Sequence, residues 1–402
     1  MITSKIINFF KVLSIITFVF GLYYCINIPK GAGDEALFLS DLDLIKNNGW
    51  VYAIGNKISI PYMILVYPFS FLFEDFIALR LVNFILFGFL FLYFVKKKIV
   101  EDGLFYYILL FFSSTGWYLI GTNDVLFTIA FIVFFCETYL LLQDKSSGSN
   151  SMFWSSLLVA FFTRELFLIF LPAVFISFFL IYKKKHNLFR KLFVPIFLFV
   201  LLLFINVPSL VKNKSLSYDN KVPPKGIHST WGQRQYLAQL LVNAGKLENH
   251  QHPSFKETDA YLKAHGDDSL PKTIVATMLF DVKLTVTEFF KDFAEVLFYS
   301  VRATGLIILL TLLHLLLSLY RRKIDYDLYI PLILFVTIAL ISLIIISYVE
   351  ARWLVPVYIM ALLYYSNNIK KITLFQKTFI ANLLLTSFVM LFGIYRMYKN
   401  LH

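Results

Sequence analysis

Along most of the chain the apolar positions do not alternate or recur every third or fourth residue; they form unbroken runs. The runs fall at 12–29, 58–73, 76–95, 104–120, 125–142, 152–163, 165–182, 191–207, 295–319, 328–348, 353–366 and 376–395. Crossing a hydrocarbon core as a helix takes about 17–25 such residues. The pattern therefore predicts an all-α polytopic membrane protein. Short basic clusters punctuate the runs: Lys5 and Lys11, Lys96–Lys98, Lys183–Lys185 with Arg190 and Lys191, Arg321–Lys323, and Lys370 with Lys371. Such clusters mark the cytoplasmic side. The first run lacks a small-residue cleavage site, since "FGLYYCIN" is a poor one, so it reads as an uncleaved signal anchor with a cytoplasmic N-terminus.

Counting crossings fixes the sidedness of the rest. If 58–73 and 76–95 both crossed, Lys96–Lys98 would lie outside. The segment 58–73 is short and carries Pro61 and Pro68, so it is expected to dip into the membrane or lie in its interface. The runs 152–163 and 165–182 then form a hairpin turning at "TRE". About eleven crossings result. The segment 208–294 is expected to be an extracytoplasmic loop region between a membrane module at 1–207 and C-terminal helices at 295–402. Amphipathic helices fit 232–244 and 273–294 within it, and Pro and Gly break the rest. About eighty residues can make a small cap but no large core. "QDKSSGSNS" reads as a cytoplasmic linker, and no internal repeat is visible.

Composition agrees with the pattern. The chain has 402 residues, 59% hydrophobic and 15% charged, against about 45–50% and 25% for a soluble domain. The net charge of +12 resides in the clusters between apolar runs, so it reads as topology anchoring and not as a nucleic-acid surface. Cys25 and Cys136 lie far apart, in or at the edge of apolar runs, and predict neither a disulfide nor a metal site.

Four polar groups interrupt this picture, all on the expected outer face. They are Asp34 and Glu35 in "GDEAL", Asn123 and Asp124 in "GTNDVLF", Arg164 and Glu165 in "FFTRELF", and Glu350 and Arg352 in "YVEARWL". A charge at membrane depth costs at least about 2.5–3.5 kcal/mol and usually lines a cavity or pathway. Each has a plainer structural reading. Asp34 and the Asn123–Asp124 pair could cap helices, "TRE" could be a bare hairpin turn, and Glu350 with Arg352 a simple interfacial pair. Arg80 in "ALRLVN" could snorkel to the surface. Asp41 and Asp43 in "DLD" fit a solvated helix face. The convergence of the groups on one side is what favours a site.

The order of these elements resembles the GT-C superfamily of membrane glycosyltransferases, which includes the protein O-mannosyltransferases and the lipid A aminoarabinose transferases. Its members have a first helix, an outer loop with an acidic motif, an interfacial helix with prolines, and an Arg-containing next segment. Here "GDEALFLSDLDLIKNNGWVYAIGNKISIPYMILVYP" and "FEDFIALRLVNFILFG" look like these. "TNDVLFTIAFIVFF" is similar to the family's short helix with an outward Asp, and "WSSLLVAFFTRELFLIFLP" to its paired short helices. "YVEARWLVPVYIMALL" resembles its E-x-R-Y-x-x-P motif, with Trp353 in place of the usual Tyr. The likeness covers about residues 1–210 and 340–365 and leaves the outer segment unmatched.

The resemblance implies transfer of a sugar from a polyprenyl-phosphate carrier to a glycan, lipid or protein of the envelope, with inversion, at the outer face of a bacterial inner membrane. Asp34 would be the general base, with Glu35 helping to position it. Arg352 would bind the carrier phosphate, with Lys57 and Arg164 next in line. Asp124, Glu350 and Arg80 would serve substrate contact or structure. Trp231 and Arg234 in "HSTWGQRQYL" could meet acceptor sugar, and His228 could equally be an ordinary loop residue. No cofactor or metal is expected, since no Gly-rich phosphate loop is present. Two other readings stay open: a glycan polymerase or ligase using a diphosphate-linked lipid, and a transporter or flippase for a lipid-linked sugar. The latter would predict inverted repeats and midplane charges.

Overall fold

A computed structural model of the chain describes residues 2–31, 33–99, 106, 120–145, 150–218 and 226–401. Most of the expected span at 104–120, and residues 146–149 of the "QDKSSGSNS" linker, lie outside the described residues. Those that are described fold into helices and contain no strand. The chain divides into two compact units. One comprises Met1–Asp219, Ser300–Leu334 and Val355–His402; the other comprises Asn220–Tyr299 and Phe335–Leu354.

The first unit opens with α1 (Ile2–Asn27), α2 (Glu35–Asn48), α3 (Trp50–Gly55), α4 (Ile60–Val66) and α5 (Asp75–Lys97). The run 58–73 is thus a seven-residue helix and a 3-10 turn at Phe69–Phe71. A helix of that length is about 10 Å long, a third of a hydrocarbon core. The Lys46 ammonium, ahead of it, bonds both the Ser70 carbonyl and the Asp75 carboxylate behind it.

Three antiparallel helices follow: α6 (Asp124–Leu142), α7 (Ser151–Thr163) and α8 (Phe167–Lys183). Their ends are pinned by polar bonds. Lys184 bonds Asp144 where α6 and α8 end, and the Asn150 amide and Trp154 indole donate to the Asn187 and Leu188 carbonyls. α6 is apolar all round and almost wholly buried, as a central helix must be. Its mid-helix carboxylate, Glu137, is buried, accepts from the Tyr93 hydroxyl at 2.8 Å and pairs with Lys97 at 2.6 Å. The unit continues with α9 (Phe193–Ile205) and α10 (Val207–Asn213), which meet at a 46° bend.

In the second unit lie α11 (Trp231–Asn243), α12 (Phe255–His265), α13 (Ile274–Phe280) and α14 (Val282–Thr304), which runs on into the first unit. A small core of Tyr236, Leu237, Leu262, Leu270 and Ile345 holds it together, so residues after the loop segment join it. Sequence reasoning found α11 and missed α12. It also expected one helix over 273–294, where Asp281, in an extended conformation, breaks the chain into two.

The remaining helices are α15 (Ile307–Tyr320), α16 (Tyr329–Leu343), α17 (Val355–Asn368) and α18 (Thr373–Leu401). The expected continuous run 295–319 is broken at Gly305, which has φ +64°. A Cβ there would stand 2.5 Å from Thr386 Oγ1 and 2.6 Å from Asn382 Oδ1, and the Asn382 side chain accepts the Leu306 N–H at 2.7 Å. Five described helices are long and apolar enough to cross a membrane: Ser4–Asn27, Asp75–Lys97, Asp124–Leu142, Tyr326–Leu343 and Thr373–Lys399. The bent pair α9–α10 would make a sixth. The chain is therefore an all-helical protein with the helices of a membrane protein.

Candidate functional site

Glu35 and Arg80 organise the polar end of the first unit. The Glu35 carboxylate is fully buried. Its Oε1 accepts from Arg80 Nε at 2.8 Å and from the Gly121 N–H at 3.0 Å. Its Oε2 accepts from Arg80 Nη2 and from the Gly31 N–H, both at 2.8 Å. The three other guanidinium N–H groups reach the carbonyls of Cys25, Ile28 and Pro29 at 2.8, 3.1 and 3.2 Å. All five donors of Arg80 are engaged, so it neither snorkels nor stands ready for a phosphate. Together the two side chains tie the end of α1, the head of α2, α5 and the loop before α6.

That loop is fixed further. Asn83 donates to the Ile120 and Thr122 carbonyls at 2.7 and 3.1 Å. A Cβ on Gly121 would lie 2.3 Å from Leu79 Cβ and 3.1 Å from Glu35 Oε1, so only glycine lets the backbone come close enough to donate to Glu35.

Asp34 stands one residue before this clamp, at the N-cap position of α2. Its backbone is in the right-handed helical region, with φ −74° and ψ −10°, and its side chain caps no helix N–H. The carboxylate is half-buried. The helix-cap explanation of "GDEA" thus fails for the Asp34 side chain.

The second convergence lies where α4, α6 and α7 meet. Asp124 is buried and ion-paired with Arg164, and the Thr122 hydroxyl donates to its Oδ2 at 3.4 Å. Asn123 donates to Ser59 Oγ at 2.9 Å and to the Thr163 carbonyl at 3.2 Å, and Ser59 donates to that same carbonyl at 3.1 Å. The Asn123 side chain caps nothing in α6. Two of the sequence-flagged groups, "TND" and "TRE", therefore touch directly, and the Gly121–Glu35 bond links them to a third. Ser59 was not flagged; its hydroxyl is buried at the head of a short helix. Lys57, two residues earlier and half-buried, has φ +68°. Glu165 is exposed.

A cleft of about 600 Å³ borders α2 in this unit, lined by Lys30, Leu39, Lys46, Ser70, Phe73, Glu74, Asp75 and Phe76. Its size is that of a ligand site. Its lining combines the rings of Phe73 and Phe76 with the charged groups of Lys30, Lys46, Glu74 and Asp75.

In the second unit Arg352 is ion-paired with Glu350 two residues earlier, on a 3-10 turn at Ala351–Leu354. Both are half-buried, and the neighbouring Trp353 indole N–H is buried without a hydrogen-bond partner. Trp231 and Arg234, the two expected acceptor contacts, sit on α11. Arg234 donates to the Pro253 carbonyl at 2.6 Å and lies 5.0 Å over the Phe255 ring. It holds the head of α12, a structural duty the sequence did not reveal. Trp231 is the first residue of α11, behind a Thr230–Gln233 capping box. The backbone N–H groups of His228 and Ser229 both donate to Asp259. A cleft of about 570 Å³, with Leu237, Leu241, Gln251, His252 and Tyr261 among its walls, opens in this unit.

Among the described residues no three His, Cys, Asp or Glu side chains group as metal ligands. Comparison with protein-family models, with curated proteins and with solved structures finds no match to this chain.

Proposed function

We propose that the chain is a GT-C-type glycosyltransferase that moves a sugar from a polyprenyl-phosphate carrier to an envelope acceptor. The observation that carries the reading is Asp34: a carboxylate at a helix head, not used as a cap, on backbone locked by the Glu35–Arg80 clamp. A carboxylate on backbone held in this way suits a general base for an incoming hydroxyl. In the step, the acceptor oxygen attacks the anomeric carbon and its proton passes to Asp34. The bond from that carbon to the phosphate oxygen breaks, and the lipid phosphate leaves with the electron pair. Inversion follows from the single displacement.

Cations must receive the phosphate. Lys57 and Arg164 are the candidates in the first unit, with Asp124 orienting Arg164. The family resemblance gives the same task to Arg352, oriented by Glu350. The finer topology belongs to the same reading: about eleven crossings, 58–73 in the interface, a cytoplasmic N-terminus, and the site on the outer face of a bacterial inner membrane.

The test is transfer from radiolabelled polyprenyl-phosphate sugars to an envelope extract by purified wild type, Asp34→Asn and Arg352→Ala. Wild type should transfer label, and Asp34→Asn should be slower by about 10²–10⁴-fold, the usual worth of a positioned base. Undiminished transfer by Asp34→Asn would refute the assignment of the base and direct attention to Asp124.

A further inference from the structure

α14 is inside out for a helix in water. Its inward residues include Glu288 and Asp292, only 2% and 7% exposed. Its outward residues include Val282, Val286 and Phe290, which are 62%, 51% and 67% exposed. Spaced by four, these three lie on one stripe of the helix. Lys283, Thr287 and Lys291, each one position on, form a second exposed stripe beside it. α13 shows the same inversion: its buried residue is Thr277, while Val275 and Leu279 are exposed.

The inward Glu288 carboxylate is held in place. The Asn243 amide donates to Glu288 Oε1 at 2.8 Å and Lys291 Nζ to Oε2 at 3.2 Å. The helix therefore cannot be rolled over to bring its apolar stripe inside without breaking the bond from Asn243 of α11 to Glu288. A solvated helix puts its charges outward and its Phe and Val inward. The medium against the Val282–Phe290 stripe is not water.

We infer that α13 and the first half of α14 lie along the membrane surface, with this stripe in the acyl region of one leaflet and Lys283 and Lys291 among the lipid headgroups. An apolar stripe edged by lysines is the pattern of an interfacial helix. Lys283, Glu288, Lys291, Asp292 and Glu295 exclude a path through the hydrocarbon. The same chain carries five helices of membrane length, so a bilayer is at hand. The loop segment, expected to form a cap in water, is instead moored to lipid.

The test uses single cysteines at Val286 and Phe290 on the stripe and at the exposed Asp268 as control. The native Cys25 and Cys136 are both buried and are replaced by alanine in the background. Each site is labelled with an environment-sensitive fluorophore in the full-length protein, at one copy per lipid nanodisc. All three substituted side chains point outward, so folding is retained and is checked by gel filtration. The expected result is a blue-shifted emission for Val286→Cys and Phe290→Cys, quenched by lipids spin-labelled high on the acyl chain and not by iodide. Asp268→Cys should show the reverse. Iodide quenching at the stripe equal to that at the control would overturn the inference. Protection from both quenchers would overturn it as well, because the stripe would then be covered by protein.

Discussion

Two adjacent carboxylates, Asp34 and Glu35, read alike in sequence and differ in the folded protein. Glu35 is buried on Arg80 and two backbone N–H groups. The Gly31 N–H is local, but the counter-charge and the other N–H lie 45 and 86 residues away, so nothing in "GDEAL" foretells the burial. What was legible is that charge collects there. The difference predicts opposite behaviour for neighbouring variants. Glu35→Gln leaves a guanidinium buried without its counter-charge, and removing one member of such a pair costs about 3–5 kcal/mol. Asp34→Asn removes no helix cap, so it should cost less stability than Glu35→Gln while slowing transfer by about 10²–10⁴-fold. Unfolding of both variants in detergent, followed by circular dichroism, measures the contrast. Gly121→Ala should destabilise too, by about 1–3 kcal/mol, since its Cβ has no room against Leu79.

At the scale of elements, the segment 251–266 shows why a real helix escaped notice. Pro253 and Gly266 read as breakers, yet they are the two ends of α12. Gly266 stops the helix at φ +95°. Ser254 and Glu257 start it with a reciprocal capping box, Ser254 Oγ accepting the Glu257 N–H and the Glu257 carboxylate accepting the Ser254 N–H. The "SFKE" spacing is a capping-box pattern present in the sequence, beside a Pro and a Gly that read as breakers. Ser254→Ala should therefore cost about 1 kcal/mol, seen as faster amide exchange confined to α12.

Acidity should act on α12 and α14 in opposite directions. The Ser254 N–H holds the Glu257 carboxyl below its ordinary value. Asp259 is raised by partial burial, but the N–H groups of Ser229 and His228 outweigh that and leave it lowered. A lowered carboxyl stabilises the fold above its unfolded pKa, and that share is lost as pH falls below about 4. Asp292 is the reverse case. Burial first, then Glu288 and Glu295, push it up to about 7, and Lys291 only partly offsets them. Its folded form binds a proton that the unfolded chain has released, so its share of stability is complete below about pH 4 and lost as pH rises through about 7. Exchange in α14, corrected for the intrinsic pH dependence, should thus be slower at pH 5 than at pH 8 by this share. Asp292→Asn should flatten the response.

For the whole molecule, nearly every described apolar run became a helix, yet the runs alone could not say what surrounds each helix. Hydropathy treats lipid and protein interior alike. α17 is apolar because it is buried all round, with the Met360 sulfur 3.5 Å from Cys136 of α6, and so it resembles a span without having a span's length. The runs at 191–207 and 295–319 hid a bend and a break. Five or six described helices meet the length of a crossing, fewer than the run count suggested. The sharpest test of the path concerns 58–73. The Lys46–Asp75 bond joins the chain on either side of α4, and it could not form if about 30 Å of hydrocarbon lay between them. Asn48 and Glu74 should therefore face the same side of the membrane, and Lys98, beyond α5, the other. With cysteines at these three exposed positions, a membrane-impermeant maleimide added to spheroplasts should label the first two alike and spare the third. Labelling of Asn48→Cys and Glu74→Cys from opposite faces would make 58–73 a crossing, reverse the side of every later loop, and separate the groups now placed together at the head of α2.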